Sequence, residues 1–289
     1  MSRITFVGVC AAAACATVAS AGLVFHFTGN GTLTDAAGGR PGTATGPAAY
    51  APGLSGQSVD LPGNAYISYA DDPAWTLGNG SFTVATWVNL DTVQSGSPFA
   101  APNTFVGCDQ GPGNQPKWVF FMTNSGNLYF HINGPGVIFL ASPGVASTST
   151  GAWHHYAVVR HGSTFTFYAD GLSLGSVTDS TVIPDPAAEL TIGQVESLGW
   201  LDGRVDDVQL YSRALSGAEI SYLYANPGQT APSACAADLN LDGMIDGTDL
   251  GLLLGAWGVC GSCDADLNAD GQVDGTDLGL LLGAWGACP

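Results

Sequence analysis

The chain has 289 residues, of which 46% are hydrophobic and only 10% are charged, so it is too apolar to be intrinsically disordered. Its 24 acidic residues outnumber its 6 basic residues, which gives a formal net charge of −18. Because so acidic a chain offers no basic patch for phosphate groups, nucleic acids and anionic membrane surfaces are excluded as direct partners.

The first 21 residues have the layout of an export signal. Arg3 precedes an apolar stretch over residues 4–18, and the small residues Ala19-Ser20-Ala21 follow it. The stretch is shorter than a membrane-spanning helix, so we expect no membrane insertion, cleavage after Ala21 and secretion of the mature chain. Attachment as a lipoprotein through Cys15 is the alternative.

Residues 22–226 contain short runs of alternating apolar and polar side chains, separated by Gly, Pro, Asn and Asp, as is typical of β-strands. Only residues 216–225 are predicted to be helical, with Ser216 and Glu219 in the positions of a capping box. Many strands and one late helix predict a two-sheet antiparallel sandwich. The predicted strands are Leu23–Phe27, Ala65–Tyr69, Phe82–Val88, Lys117–Phe121, Leu128–Ile132, Trp153–Arg160 and Thr164–Tyr168.

Four segments of this region, taken in order, carry a family resemblance. They are Gly80–Val88, Trp153–Val159, Phe167–Gly171 and Leu201–Ser216. Residues 22–226 resemble the laminin-G-like, concanavalin A-like jelly rolls of secreted bacterial proteins. The resemblance implies a mainly β jelly roll but leaves the function open, because lectins, glycoside hydrolases, lyases and structural modules share this architecture. It also implies that Asp35 and Asp207 are candidate ligands of one structural Ca²⁺.

The acidic residues of this region do not form an evident catalytic pair. A retaining glycosidase needs two carboxylates about 5 Å apart on one face. Glu189 and Glu196 are seven residues apart and are expected on opposite faces of a strand, while Glu219 lies in the predicted helix. Asp202 and Asp206 could share a face, but a structural role in the last strand is the preferred interpretation. No catalytic residue is therefore assigned.

Histidines and aromatic residues offer the other candidate sites. His131, His154 and His155 are available to a lyase, although the last two fall in a segment that defines the fold. Sugar binding would instead use aromatic stacking and hydrogen bonds, for which Trp118, Tyr129 and His131 are candidates. The alternative is that these aromatic side chains belong to the core.

Residues 227–234 form a short linker that contains Pro, Gly and Ser. Beyond it, residues 235–260 and 263–288 align without gaps. Each copy has oxygen-bearing side chains at positions 1, 3, 5, 9 and 12 of a loop with Gly at position 6, which is the pattern of an EF-hand calcium loop. The predicted Ca²⁺ ligands are Asp238, Asn240, Asp242, Met244 through its carbonyl, Asp246 and Asp249, and then Asp266, Asn268, Asp270, Gln272 through its carbonyl, Asp274 and Asp277.

A short apolar helix is predicted after each loop, but none precedes the first loop. This arrangement over residues 235–289 resembles the type I dockerin domain. The resemblance implies two Ca²⁺ ions, two antiparallel helices and docking onto a cohesin module. It also implies that the partner is read through loop positions 10 and 11, which are Gly247, Thr248, Gly275 and Thr276. No Lys or Arg occurs in residues 233–289, so we expect folding of this tail to depend on Ca²⁺.

The helices of the tail are apolar on nearly all sides, which independently indicates a docking surface. Leu250, Leu253, Leu254 and Trp257 share one stripe of the first helix, and Leu252 lies off it. The alternative is a small two-helix core without a partner.

Four cysteines bracket the two repeats, and an exported module of this size predicts two disulfides. In antiparallel helices, Cys235 and Cys260 would be a helix length apart, about 12–15 Å, which exceeds the roughly 7 Å that a disulfide spans. We therefore favour Cys235–Cys288 and Cys260–Cys263. Cys108 is left unpaired, either buried or free.

Together these patterns predict a secreted, non-catalytic protein of two modules. The jelly roll would present a surface for a glycan or protein, and the calcium-loop tail would fasten it to a cohesin-bearing scaffold or cell surface. One alternative is a glycoside hydrolase or polysaccharide lyase of a scaffolded complex. Another is a structural or adhesive surface protein without glycan specificity.

Overall fold

The structure is a computed structural model that describes residues 22–232, 236–240, 244–260, 263–268 and 270–287. The predicted export signal, the predicted ligand Asp242 and the predicted Cys235–Cys288 disulfide lie outside the described residues. In the larger part of the chain the elements are β1 Leu23–Phe27, β2 Thr43–Thr45, β3 Ala49–Pro52, β4 Gln57–Pro62, β5 Tyr66–Tyr69, β6 Phe82–Thr92, β7 Thr104–Asp109, β8 Lys117–Met122, β9 Leu128–Asn133, β10 Ile138–Ala141, β11 His154–His161, β12 Thr164–Ala169, β13 Leu172–Thr178, β14 Leu190–Ile192, β15 Asp202–Tyr211 and the helix α1 Gly217–Ala225.

The strands form two antiparallel sheets, which confirms the predicted mainly β sandwich. Sheet A has the order β13-β12-β11-β6-β15-β4-β3, and β1 also pairs with β15. Sheet B has the order β10-β9-β8-β7-β14-β5-β2. Large aromatic side chains fill the space between the sheets, including Phe105 stacked on Tyr156 with ring centroids 5.0 Å apart. Their burial removes the largest apolar surfaces from water and is the main force that holds the sheets together.

The helix α1 begins where the sequence predicts it. Ser216 accepts a hydrogen bond from the Glu219 amide, and the Glu219 side chain accepts one from the Ser216 amide, which is the predicted capping box. Ile220 and Leu223 pack against the outside of sheet A in a cluster with Ala157 and Tyr211. Part of this face of sheet A is therefore covered by the chain's own helix.

The tail contains β16 Met244–Ile245, α2 Gly247–Gly255, β17 Gly258–Val259, β18 Gln272–Val273, α3 Gly275–Gly283 and β19 Gly286–Ala287. Short strands of the two repeats pair with each other: β16 pairs with β19, and β17 pairs with β18. Ile245, Leu253, Val273 and Leu281 form their shared core. A disulfide joins Cys260 and Cys263, with Cα atoms 5.9 Å apart, and Cys108 is free and buried. Among the described residues, no helix has the length and hydrophobicity needed to cross a bilayer.

Strand β15 contains an irregularity between Asp206 and Gln209, where Asp207 takes the left-handed conformation at φ +51°. The Asp206 side chain is buried there and accepts a hydrogen bond from the Leu54 amide at 3.2 Å. Burial, with a smaller contribution from the charge of Asp207, raises the pKa of Asp206 to about 7. The folded protein therefore holds a proton on Asp206 that the unfolded chain loses near pH 4.

Replacing this carboxyl with an amide should stabilise the protein at alkaline pH. The free energy of unfolding falls as pH rises from about 4 through 7, because the unfolded state ionises Asp206 first. In Asp206→Asn this loss is absent, so we expect a gain of about 2–4 kcal/mol at pH 8 and little change at pH 4. Chemical denaturation at both pH values measures it, with Asp202→Asn at the half-buried start of β15 as control. Equal effects at pH 4 and pH 8 would contradict the assignment.

Candidate functional site

The outer face of sheet B, the side turned away from sheet A, is partly covered by two loops. In β8 the side chains alternate, so that Trp118 and Phe120 enter the main core while Val119 and Phe121 lie on the outer face. Val119 and Phe121 are nevertheless fully buried, because Ala101 and Val195 of the two covering loops pack onto them. Because both faces of β8 are buried, most of its side chains are apolar, on both faces, without the alternation of a half-exposed strand.

Both covering loops contain non-glycine residues in the left-handed conformation. Glu196 and Ser197 have φ of +52° and +57°, and they form the two central residues of a tight turn closed by the hydrogen bonds between Val195 and Leu198. Such a turn favours Asn and Gly. Glu and Ser are less stable than those residues in the left-handed conformation, so this turn is strained. The turn places the Glu196 carboxylate against Lys117.

A cavity of about 210 Å³ lies beside this cover on the outer face of sheet B. Its principal lining side chains are Phe99, Asp109, Lys117, His131, Phe139 and Glu196. They come from strands β7 to β10 and from both covering loops. The cavity therefore joins an aromatic side to a charged side.

The aromatic side is centred on Phe139. The His131 ring stacks on it with centroids 4.1 Å apart and planes at 12°, and Phe99 meets it edge-on at 4.9 Å. Phe99 is 75% exposed, which is unusual for so large an apolar side chain. His131 Nδ1 lies 2.8 Å from the Ile138 carbonyl, which can only accept, so Nδ1 carries the hydrogen. Burial lowers the pKa of His131, which keeps the imidazole neutral at neutral pH.

The charged side is centred on Lys117, the only lysine of the chain. Its ammonium lies 3.2 Å from Asp109 Oδ1, pairs with Glu196 and donates to the Gly111 carbonyl at 2.7 Å. The side chains of Lys117 and Asp109 are only 6% and 5% exposed, and that of Glu196 is 15% exposed. Burial raises the pKa of Asp109, which is one sign of an ionisable group kept from solvent.

Glu189 and Glu196 do not lie on one strand face, which agrees with the prediction, but they are not remote from each other. Both line an adjoining cavity together with Asp109 and Thr191. Strand β14 covers only Leu190–Ile192, so Glu196 belongs to a turn, and the strand-face rule does not apply to it.

The three candidates for sugar stacking, Trp118, Tyr129 and His131, lie in different environments. Trp118 is fully buried in the main core, which agrees with the alternative that it is a core residue and excludes it as a sugar-stacking candidate. Tyr129 and His131 lie on the outer face of sheet B, where both rings contact Phe139. Phe139 was not among the predicted candidates, although β10 continues the alternation of β9, and neither was Lys117 as a buried cation.

His154 takes part in a chain of hydrogen bonds outside this cavity. Its Nε2 lies 2.7 Å from Ser149 Oγ, and its Nδ1 lies 2.8 Å from Asp170 Oδ2. This order matches a nucleophile, base and orienting acid. The backbone amides of Ser149 and Gly151 already donate to other partners, so neither is free to stabilise an oxyanion. The chain of bonds closes the loop before β11, and we assign it no catalytic role.

His155 also has a structural position. It is fully buried beside Trp87, with ring centroids 5.2 Å apart, and burial lowers its pKa to about 4. Its backbone amide donates to Asp170 Oδ1 at 2.9 Å. A neutral, enclosed imidazole of this kind supports the sandwich.

Asp35 and Asp207, the candidate Ca²⁺ ligands of the jelly roll, do not fit that ion. Asp35 accepts three backbone amides and the Arg40 guanidinium. Asp207 Oδ1 lies 2.6 Å from His26 Nε2 and accepts the Gln209 amide at 2.7 Å. Their oxygens already accept N–H donors, and among the described residues they are not part of a metal-binding group of acidic side chains.

The tail loops carry a donor set of the kind that Ca²⁺ uses, with carboxylate, amide and carbonyl oxygens and no basic residue. The structure places Asp238, Asp249 and Asp277 in buried positions, Asn240, Asp246, Asp266 and Asp274 in half-buried positions, and Met244, Asn268, Asp270 and Gln272 toward the surface. Asp277 Oδ1 accepts the Leu267 amide at 2.9 Å, and Asp249 Oδ1 accepts the Leu239 amide at 2.7 Å. Within the described residues, no three His, Cys, Asp or Glu side chains are arranged to hold a metal.

The tail exposes the same apolar residues in both repeats. Within the predicted stripe, Leu254 and Trp257 are about half exposed, whereas Leu253 is fully buried. Only one leucine of each helix, Leu253 or Leu281, is fully buried, because the shared core is small. The exposed counterparts are Leu252 and Leu280, Leu254 and Leu282, and Trp257 and Trp285. The predicted partner-reading residues Gly247, Thr248, Gly275 and Thr276 are exposed at the starts of the helices.

A family model described as the concanavalin A-like lectin/glucanases superfamily matches residues 61–221. This match extends from the end of β4 into α1 and includes the cavity. No curated protein sequence matches the chain.

Several solved structures share the sandwich fold. Domain 4 of the extracellular arabinanase AbnA from Geobacillus stearothermophilus, in complex with arabinotriose, is 21% identical with a TM-score of 0.58, and the match covers 71% of this chain and 99% of that domain. The binding domain of Paraclostridial Mosquitocidal Protein 1 is 17% identical with a TM-score of 0.53, covering 70% of this chain and 52% of that one.

A third similar structure is from botulinum neurotoxin type C, whose cell entry depends on interaction with two ganglioside molecules. It is 14% identical with a TM-score of 0.52, and the match covers 71% of this chain and 51% of that one. The chain therefore spans about half the length of the two toxin chains that it matches.

Proposed function

Because the chain belongs to the concanavalin A-like lectin/glucanases superfamily, we propose that it is a non-catalytic module that binds a glycan in the cavity beside Phe139. The observation that carries this proposal is the exposed aromatic side facing buried carboxylates in one cavity. Sugar rings stack their C–H faces on aromatic side chains, and their hydroxyl groups donate hydrogen bonds to carboxylates. The cavity offers both within the space of about 210 Å³.

The size of the cavity limits what it takes. Pockets for drug-sized ligands measure about 300–1,000 Å³, so this one suits a terminal sugar or a single ring of a chain. The arabinanase domain with the same fold was solved with arabinotriose, and the neurotoxin interacts with gangliosides. These relatives support a glycan as the class of ligand.

Truncation of the aromatic side tests the proposal. We expect Phe139→Ala to weaken binding of a responsive glycan at least tenfold, because the stacking surface and its support for His131 are lost. Affinity electrophoresis in gels containing arabinan, xylan, mannan or β-glucan measures the effect. Tyr50→Ala, an exposed aromatic residue of β3 in sheet A, is the matched control. Binding that survives Phe139→Ala and fails in Tyr50→Ala would place the ligand elsewhere.

The proposal extends to export and anchoring. Residues 1–21 would direct secretion, and the tail would bind two Ca²⁺ ions and dock onto a cohesin-type module. Support comes from the acidic loop in each repeat, from the pairing of short strands between the repeats, and from the apolar residues exposed at equivalent positions. Bound Ca²⁺ would neutralise the loop carboxylates, among them Asp266, Asp270 and Asp277. Gly247, Thr248, Gly275 and Thr276 would then lie at the contact.

A second candidate is a polysaccharide-degrading enzyme, which the meeting of Asp109, Glu189 and Glu196 at one cavity favours. Release of reducing ends or unsaturated sugars from a polysaccharide that the protein binds would support it. Retention of the polysaccharide without turnover supports the binding module.

A further inference from the structure

We propose that the cavity on the outer face of sheet B selects uncharged sugars and rejects glycans that carry carboxylate or sulfate groups. This inference rests on the proposed glycan-binding function and adds the class of ligand to it. It follows from how the charges of the cavity are distributed and from which of them remain free.

The ammonium group of Lys117 is already paired with groups of the protein. Lys117 is the only Lys or Arg among the described residues that line the cavity. Its ammonium lies 3.2 Å from Asp109 Oδ1, pairs with Glu196 and donates to the Gly111 carbonyl, and its side chain is 6% exposed. A ligand carboxylate would have to displace one of these buried partners and leave a carboxylate unpaired, which is costly.

The remaining charges are negative. Asp109 and Glu196 share one ammonium, which leaves one net negative charge, and Glu189 adds another in the adjoining cavity. His131 contributes no cation at neutral pH, since burial favours its neutral form. A sugar carboxylate or sulfate therefore meets uncompensated like charge in a partly desolvated place.

The charge of the whole chain acts in the same direction. At a formal net charge of −18, the protein repels polyanions before contact. Sugar hydroxyl groups, in contrast, donate hydrogen bonds to carboxylates without bringing charge. The ligand that suits the cavity is thus a neutral hexose or pentose, and a sialylated glycan of the ganglioside type does not suit it.

Matched pairs of glycans test this inference with the full chain. The probes are β-1,4-mannan and β-1,4-mannuronan oligosaccharides, fully methyl-esterified and de-esterified polygalacturonate, and arabinan as a further neutral chain. Each pair differs mainly in whether a carboxylate is present. Isothermal titration calorimetry at pH 7 gives the affinities. We expect at least one neutral probe to bind, and any acidic counterpart to bind at least tenfold more weakly.

The outcomes of this experiment distinguish a failure of charge selection from a failure of glycan binding. If an acidic member binds as well as its neutral partner, or better, charge selection is overturned while glycan binding stands. If no probe binds, both the proposed function and this inference are overturned.

Charge variants add a second readout. Glu189→Gln removes an exposed carboxylate at the adjoining cavity and should narrow the neutral-to-acidic affinity ratio at least twofold. Asp264→Asn makes the same change of charge at an exposed position in the tail and should leave the ratio unchanged. A ratio that responds equally to both variants would mean that only the overall charge of the chain acts, and would overturn selection by the cavity.

Discussion

Chelation of calcium is expected to abolish the helical signal of the tail and to leave the sandwich folded. Residues 233–289 contain no Lys or Arg, so without a cation the loop carboxylates repel one another. The shared core of the tail contains few fully buried side chains, chiefly Ile245, Leu253, Val273 and Leu281, and is too small to overcome that repulsion. Far-UV circular dichroism before and after EDTA, followed by calcium addition, measures the loss and its recovery.

A loop variant localises the effect. Asp270→Ala removes a position-5 ligand of the second loop, so we expect the calorimetric stoichiometry to fall from two Ca²⁺ ions to one, or the affinity of one site to fall at least tenfold. Asp264→Asn, outside the twelve-residue loops, serves as control. Unchanged ellipticity after EDTA, together with unchanged calcium binding in Asp270→Ala, would refute the calcium-loop assignment.

Replacing Lys117 with Met is expected to destabilise the sandwich by about 3–5 kcal/mol, because it leaves the Asp109 and Glu196 carboxylates facing each other without a buried cation. For a domain of this size, that loss lowers the melting temperature by about 10 °C. Thermal unfolding monitored by near-ultraviolet circular dichroism measures it. The aliphatic part of the side chain is kept in Met, so the effect reports on charge more than on packing.

The double variant Lys117→Met with Glu196→Gln provides the control. Removing one carboxylate as well should recover part of the loss, because fewer charges are left uncompensated, and the two changes should therefore be non-additive. If Lys117→Met alone costs less than about 1 kcal/mol, the pairs behave as solvent-exposed ion pairs, and the buried cluster described around the cavity is incorrect.

Local patterns were sufficient for much of the architecture. The alternation in β9 and β12, and the capping box of Ser216 and Glu219, each depend on residues close together in the chain, and the structure has them where they were predicted. These features need no knowledge of which strands become neighbours.

The candidate site could not be predicted from the sequence, because it depends on contacts between residues that are far apart in the chain. The cavity exists because loops distant in sequence fold over one face of sheet B, and Lys117 meets Glu196 across 79 positions of the chain. Alternation does not say which face of a strand becomes the core, so the sequence leaves both a sugar surface and the core open for Trp118. The exposed state of Leu254 and Trp257 likewise depends on how the two repeats pair.

The central claim is that a glycan binds on the outer face of sheet B, and hydrogen–deuterium exchange with a saturating neutral glycan tests it most directly. We predict slower exchange in residues 97–101, 128–139 and 194–198, which surround the cavity. Sheet A strands β11 to β13 and the tail should be unaffected. Protection confined to sheet A or to the tail, with no change around Phe139, would contradict the account.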